Sequence, residues 1–206
     1  MSYNAELILQ QDQTTSNWSG GTTTQIAIFP KLAVYAERNF IWRISSARVE
    51  LEESEFTSLP GIWRHIMVLD GEMRLEHAGH HNCYLKPYEQ DSFSGDWTTK
   101  SFGKVRDFNL MLARGSTGNL TATSLAPYET APIDLHSFDS NLYSQKTTAF
   151  YCVDGALTIN ISCDIYKLTP GDMLLITSSE PTNTLQVNII NTRNEFSHIV
   201  KSDINY

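Results

Sequence analysis

Phe56–His77 reads FTSLPGIWRHIMVLDGEMRLEH, and the fold follows from this stretch. A Leu59-Pro60-Gly61 turn opens it. The apolar run Ile66-Met67-Val68-Leu69 follows, and Asp70-Gly71 leads into a second strand at Met73–Glu76. Proline presets φ and glycine accepts positive φ, so both dipeptides turn the chain sharply. Asp-Gly between two strand-like runs signals a hairpin. Arg64 is the exception in the run. A guanidinium at the head of an inward-facing apolar strand is costly unless an anion meets it, so Arg64 is the first candidate for ligand binding.

The signature occurs twice. Ile66–Leu75 (IMVLDGEMRL) is matched by Phe150–Ile159 (FYCVDGALTI), and each copy leads on to a further strand, through His81–Leu85 and through Tyr166–Asp172. The second copy has Thr148 and Ala149 in the region that holds the arginine in the first. Leu168-Thr169-Pro170-Gly171-Asp172, running into an apolar strand, is similar to a turn common in cupin-type β-barrels. Further strands are expected at 24–29, 41–50, 105–114, 120–124, 173–177 and 185–191, and helical periodicity is nearly absent. The expectation is an all-β chain, a bicupin of two small jelly-roll-like β-barrels. Residues 1–114 form the barrel with a ligand pocket. Residues 115–206 form a mainly structural one, and the linker falls near Gly115–Thr123.

Composition narrows the function. The chain has 206 residues, 41% hydrophobic and 18% charged, which suits a folded core rather than disorder. Its formal net charge is -8 and its pI about 5.2, which argues against nucleic acid or an anionic membrane as partner. The N-terminus lacks a basic start and a long apolar core, and no run approaches a membrane span. Cys83, Cys152 and Cys163 are scattered and odd in number, fitting buried thiols in a reducing cytoplasm. Exposed sheet edges make a homodimer a possible assembly.

A set of ordered motifs resembles the HutD/Ves family of small bicupins. They are Trp18-Ser19-Gly20-Gly21-Thr22-Thr23, then 40–47 (FIWRISSA), 56–61 (FTSLPG) with Arg64, Leu69-Asp70-Gly71, and 107–111 (DFNLM). Members often carry Asn after the first Trp and an Arg-Glu pair after the glycine motif; here Ser19, Thr24 and Gln25 stand nearest those positions. The resemblance implies binding of a small carboxylate, an N-formylglutamate-like intermediate in the histidine-utilisation members, and a role in tempering pathway expression. It also implies that Arg64, after the Pro-Gly turn, is the carboxylate partner.

Other candidates surround Arg64. Period-two alternation puts Asp107 and Asn109 on one face and Arg43 with Ser45 on one face. The expected ligand-binding set is Arg64, Trp18, Thr22, Arg43, Asp107 and Asn109, with Trp42 or Trp63 as further apolar wall. An internal pair between Arg64 and Asp107 is the competing structural explanation. His77, His80 and His81 crowd the Ala78-Gly79 turn, but no HxH pair exists, so they are expected to form an exposed polar hairpin tip. His65 is expected on the outer face. No metal and no cofactor are expected, and no GxSxG or Cys-His arrangement points to nucleophilic catalysis. The function expected is metal-independent binding of a small anionic metabolite, accessory or regulatory in amino-acid catabolism. The alternative is a metal-independent isomerase or hydrolase of a small organic acid, with Asp107 or His65 as acid/base. A structural or partner-binding β protein is the third class.

Overall fold

The computed structural model describes residues 3–181 and 184–206. Nineteen strands run through these residues, with two short 3-10 turns. In chain order they are β1 (Asn4–Ile8), β2 (Thr14–Trp18), β3 (Gly21–Phe29), β4 (Trp42–Val49), β5 (Glu53–Glu55), β6 (Ile62–Gly71), β7 (Met73–His77), β8 (Asn82–Leu85), β9 (Gln90–Ser94), β10 (Thr99–Phe102) and β11 (Val105–Ala113). Then follow β12 (Thr117–Leu125), β13 (Thr130–Leu135), β14 (Lys146–Cys152), β15 (Leu157–Ile161), β16 (Asp164–Leu168), β17 (Met173–Ser178), β18 (Leu185–Asn191) and β19 (Ser197–Asn205).

Two compact units result. The first is Gln13–Ser116; the second joins the residues up to Asp12 to Thr117–Tyr206. The first unit has a six-stranded sheet, β2-β3-β4-β11-β6-β9, and a four-stranded sheet, β5-β10-β7-β8. Its core draws Val49, Ile66, Val68, Phe93 and Val105 from one sheet and Met73, Leu75 and Leu85 from the other. The second unit has sheets β1-β17-β14-β19-β12 and β13-β18-β15-β16, again with a core supplied by both. Two features differ from the sequence reading. Asn4–Ile8 pairs with Met173–Thr177 of the second unit, not within the first. Most of the expected linker at 115–123 is the start of β12, whose nine residues pair along β19.

The repeat is a repeat of topology. β6 pairs with β9 and β7 with β8; equally, β14 pairs with β17 and β15 with β16. Each Asp-Gly therefore joins two sheets, and the paired strands nest as one hairpin inside another. It is a corner rather than the tip of a two-stranded hairpin. Gly71 (φ 80°) and Gly155 (φ 77°) supply the left-handed residue each corner needs. The return turns match closely too. Lys86 N–H donates to Glu89 Oε2 at 2.8 Å, and Thr169 N–H to Asp172 Oδ2 at 2.8 Å. Tyr88 N–H reaches the Val68 carbonyl at 2.7 Å, and Gly171 N–H the Cys152 carbonyl at 2.9 Å. Leu85-Lys86-Pro87-Tyr88-Glu89 is thus the first unit's version of Leu168-Thr169-Pro170-Gly171-Asp172. Tyr88, at φ 68°, takes the glycine's conformation, which hid the match in the sequence.

Candidate functional site

The inner face of the six-stranded sheet changes character along its strands. In register, Val49 lies opposite Val105, Ala47 opposite Asp107 and Ser45 opposite Asn109. The next row is Arg43, Met111 and Arg64, across β4, β11 and β6. The apolar core therefore gives way to polar rows and then to two arginines flanking a methionine. Beyond them a second apolar cluster of Phe40, Leu59, Ile62 and Met111 closes that end. Over these rows lies a cavity of about 260 Å³, lined among others by Arg43, Arg64, Asp107, Asn109, Tyr35, Phe56, Trp18 and Thr23.

Both arginines are buried, Arg43 at 5% exposure and Arg64 at 6%. Arg64 donates from Nη2 to Asn109 Oδ1 at 2.9 Å, and Asn109 donates onward to Asp107 Oδ1 at 2.7 Å. Asn109 thus stands between the guanidinium and the carboxylate. The Arg64 Nε has no hydrogen-bond partner, and its guanidinium carbon lies 4.6 Å from the Phe56 ring centroid and 5.2 Å from that of Phe93. Arg43 donates to Gln25 Oε1 at 2.9 Å and to Ser45 Oγ at 3.0 Å, with Tyr35 under its guanidinium at 4.3 Å. These partners are neutral. Two guanidiniums therefore face one cavity, and among the described residues that line it Asp107 is the buried carboxylate that offsets them.

Burial acts on all three groups. It pushes Arg64 down to about 10, with Tyr35 and Asp107 opposing the shift and Arg43 adding to it. Arg43 is lowered by burial as well. Burial pushes Asp107 up to about 6, although Arg64, the Asn109 amide and the Ala47 backbone amide favour its charged form. A small carboxylate entering the cavity would meet unspent guanidinium donors in a planar fork that fits its two oxygens.

Five of the six expected site residues, Arg64, Arg43, Asp107, Asn109 and Trp18, line this cavity. Thr22 does not; its neighbour Thr23, opposite Ala47, takes the inward position. The chain positions Trp18 through Gly20: a Cβ there would lie 2.0 Å from Trp18 Cζ3, so the indole needs the bare backbone. Trp42 is buried elsewhere, stacked on Phe29, and Trp63 packs edge-on to Trp97. His65 bonds Ser92 Oγ and stays out of the cavity. Tyr35 and Phe56, which lie against the guanidiniums, were not among the expected site residues, because contact between a ring and a cation on another segment leaves no mark in local sequence.

The sequence model of HutD matches residues 10–194. This chain belongs to the HutD family. Among solved structures, the HutD-family chain is similar to a conserved protein of unknown function from Pseudomonas aeruginosa PAO1, at 22% identity and TM-score 0.79, over 98% of this chain and 100% of the other. HutD from Pseudomonas fluorescens SBW25, solved in a formate condition, matches at 20% identity and TM-score 0.69, again over 98% and 100%. A point mutant of the oxalate decarboxylase from Bacillus subtilis matches at 7% identity and TM-score 0.61, over 95% of this chain and 76% of that one. At these identities the likeness is one of fold, and it places the HutD-family chain among cupin-type β proteins.

The remaining correction concerns the histidines. His77 is not part of an exposed tip. It is 2% exposed, with Nδ1 2.8 Å from Thr99 Oγ1 and Nε2 2.9 Å from Asp91 Oδ2. His80 and His81 are exposed, as expected for the turn. Among the described residues no helix is long and apolar enough to cross a membrane.

Proposed function

We propose that this chain binds a small carboxylate in the Arg43–Arg64 cavity and serves an accessory or regulatory role in histidine or related amino-acid catabolism. The single observation that carries the reading is the pair of buried arginines on one cavity, both with neutral hydrogen-bond partners. A buried cation without an ionic partner costs several kcal/mol, and an anion from solution removes that cost. The cavity volume, about 260 Å³, lies just below the usual range for drug-sized ligands and suits a metabolite of the size of N-formylglutamate. Family membership supports a link to histidine utilisation.

In this reading the anion's charge is met by guanidinium, not by a metal. Asp107 and Glu55 are the carboxylates that line the cavity, and no histidine or cysteine does so among the described residues. Arg64 and Arg43 clamp the carboxylate, Asn109 orients it, and Trp18 with Phe56 forms the apolar wall. The same nested pairing of strands in both units supports a bicupin, and the reading places the protein's action in the cytoplasm. The isomerase or hydrolase alternative keeps Asp107 as its acid/base, since its raised pKa is the mark of a poised group.

Thermal shift against small carboxylates, from formate to N-formylglutamate, tests the reading. A hundredfold excess over the dissociation constant stabilises by about 2.7 kcal/mol. Arg64→Ala is expected to weaken the best acid by about 10- to 100-fold, the value of a charge-assisted pair. No shift with any acid, or an unchanged shift in Arg64→Ala, overturns carboxylate binding. Turnover of a bound acid moves the assignment to enzyme.

A further inference from the structure

A second constellation lies in the first unit, outside the arginine cavity. His77 ends β7, His81 sits in the turn, Cys83 is on β8, and Asp91 is on β9 of the other sheet. One ligand-type atom from each, imidazole nitrogen, thiol sulfur or carboxylate oxygen, lies within 4.8 Å of all the others. We propose that His77, His81, Cys83 and Asp91 form a binding site for a zinc-type divalent cation that ties the two sheets of this unit together.

The donor chemistry selects the ion. Two imidazoles, a thiolate and a carboxylate are the mixed set zinc accepts, and the thiolate disfavours magnesium or calcium. A tetrahedral zinc with bonds of about 2.0–2.3 Å holds its ligand atoms about 3.3–3.8 Å apart. Here Asp91 Oδ2 is 2.9 Å from His77 Nε2 and 3.0 Å from His81 Nε2. The closest pairs must open by a few tenths of an ångström and the widest must close by at most about 1 Å. His81 can make that movement, since its side chain is 42% exposed on a turn. On binding, the Cys83 S–H proton leaves to solvent as the S–metal bond forms, each imidazole's Nε2 proton is exchanged through solvent for one on Nδ1, and the ion takes the place of the two imidazole–carboxylate hydrogen bonds.

The surroundings are those of a built site. His77, with a fully buried side chain, is fixed through Nδ1 by Thr99 Oγ1 at 2.8 Å. The Thr99 hydroxyl is also 3.4 Å from the Trp97 carbonyl. With Thr99 donating there, the metal-bound ring carries its proton on Nδ1, donated to Thr99, and Nε2 gives its lone pair to the ion in place of the hydrogen bond to Asp91. Trp97 screens the group: it is edge-on to His77 at 5.6 Å and to His81 at 5.8 Å, and it stacks on His80 at 3.8 Å. His80, held in that stack, is excluded from the ligand set. An open concavity of about 570 Å³ over the turn, lined by His77, His81 and Thr98 among others, provides the path of entry.

Cobalt(II) serves as the spectroscopic probe and zinc as the ion, both added to untagged full-length chain stripped with chelator. The expected result is one equivalent of cobalt giving the d–d bands of a four-coordinate site and a thiolate-to-cobalt charge-transfer band. Zinc should displace it stoichiometrically and raise the melting temperature. Cys83→Ser should abolish the charge-transfer band and Asp91→Asn should weaken binding at least 100-fold. Thr99→Val should weaken it about 10- to 100-fold as an orienting partner, with His80→Ala unchanged. Should Asp91→Asn fail to fold, the wild-type titration and Cys83→Ser decide alone. A wild-type chain that gives no cobalt spectrum and no zinc stabilisation overturns the proposal, as does a charge-transfer band that survives Cys83→Ser. Because Arg64→Ala leaves these four residues intact, cobalt binding by that variant separates this site from the carboxylate pocket.

Discussion

Arg43 and Arg64 are held by neutral partners, and residue 25 decides this for Arg43. Gln25 accepts the Arg43 Nε hydrogen bond at 2.9 Å, so a carboxylate at the same position would cancel the charge without an outside ligand. Gln25→Glu is accordingly expected to weaken carboxylate binding by about tenfold, from one charge-assisted bond redirected inward. Isothermal titration with the best acid from the thermal-shift panel measures it. Asp107 sets the pH response. Its folded pKa of about 6 exceeds the unfolded value of about 3.9, so between these the folded state holds the extra proton. The contribution favours folding at low pH and is lost as pH rises through about 6. The same protonation removes a negative charge from the cavity. Carboxylate affinity should therefore rise as pH falls from 7 toward 5, and Asp107→Asn should flatten both the affinity and the melting-temperature profiles over that interval.

At the scale of elements, the Asp-Gly corners are the points of least tolerance. A Cβ at Gly71 would lie 2.4 Å from the Lys104 carbonyl oxygen, a backbone atom that cannot move aside cheaply. Gly79, in the true β7–β8 hairpin, has a similar φ of 77° but nothing within 4 Å of its added Cβ. Gly79→Ala is expected to cost only the left-handed backbone strain, about 1–2 kcal/mol, and Gly71→Ala clearly more; urea midpoints of the two variants test the order. Two of the strands that escaped the sequence reading owe their form to pairing rather than to pattern. Thr14–Trp18 is wholly exposed and Glu53–Glu55 has one buried residue, so neither carries the alternation that marks a strand. They are strands because β3 and β10 offer them open edges to pair with. By contrast Val105–Ala113 and Met173–Ser178, rich in buried apolar residues, were legible within a residue of their ends.

For the molecule as a whole, one plan has been put to two uses. Thr148, at the place of Arg64 in the second copy, lines a cavity of only about 30 Å³, room for about one water. It donates to Asp203 at 2.8 Å, and Lys146 and Lys201 both pair with that same carboxylate, at 3.5 and 2.8 Å. The second unit settles its inner charges internally, whereas the first leaves two guanidiniums on its cavity with neutral hydrogen-bond partners. The second unit's sheet also depends on β1, which covers the edge of β17. A chain beginning at Gln13 should show faster amide exchange along Met173–Ser178, while Ile62–Gly71 keeps its protection; mass-spectrometric hydrogen exchange resolves the two segments.

The all-β class, the repeat with its Asp-Gly turns and the family are all legible along the chain. These depend on local chemistry: glycine and proline fix turns, and apolar runs of strand length must be buried wherever they lie. Arg64 is legible in the same way, because a charge in such a run is conspicuous. Folding in three dimensions is what sets Arg43, Met111 and Arg64 in one row, turns Thr23 rather than Thr22 inward, and stands Asn109 between Arg64 and Asp107. It alone brought Asp91 onto His77, His81 and Cys83 from another sheet. Register across strands and contact between sheets arise from pairings distant in the chain, and no local pattern of residues encodes which strand will lie beside which.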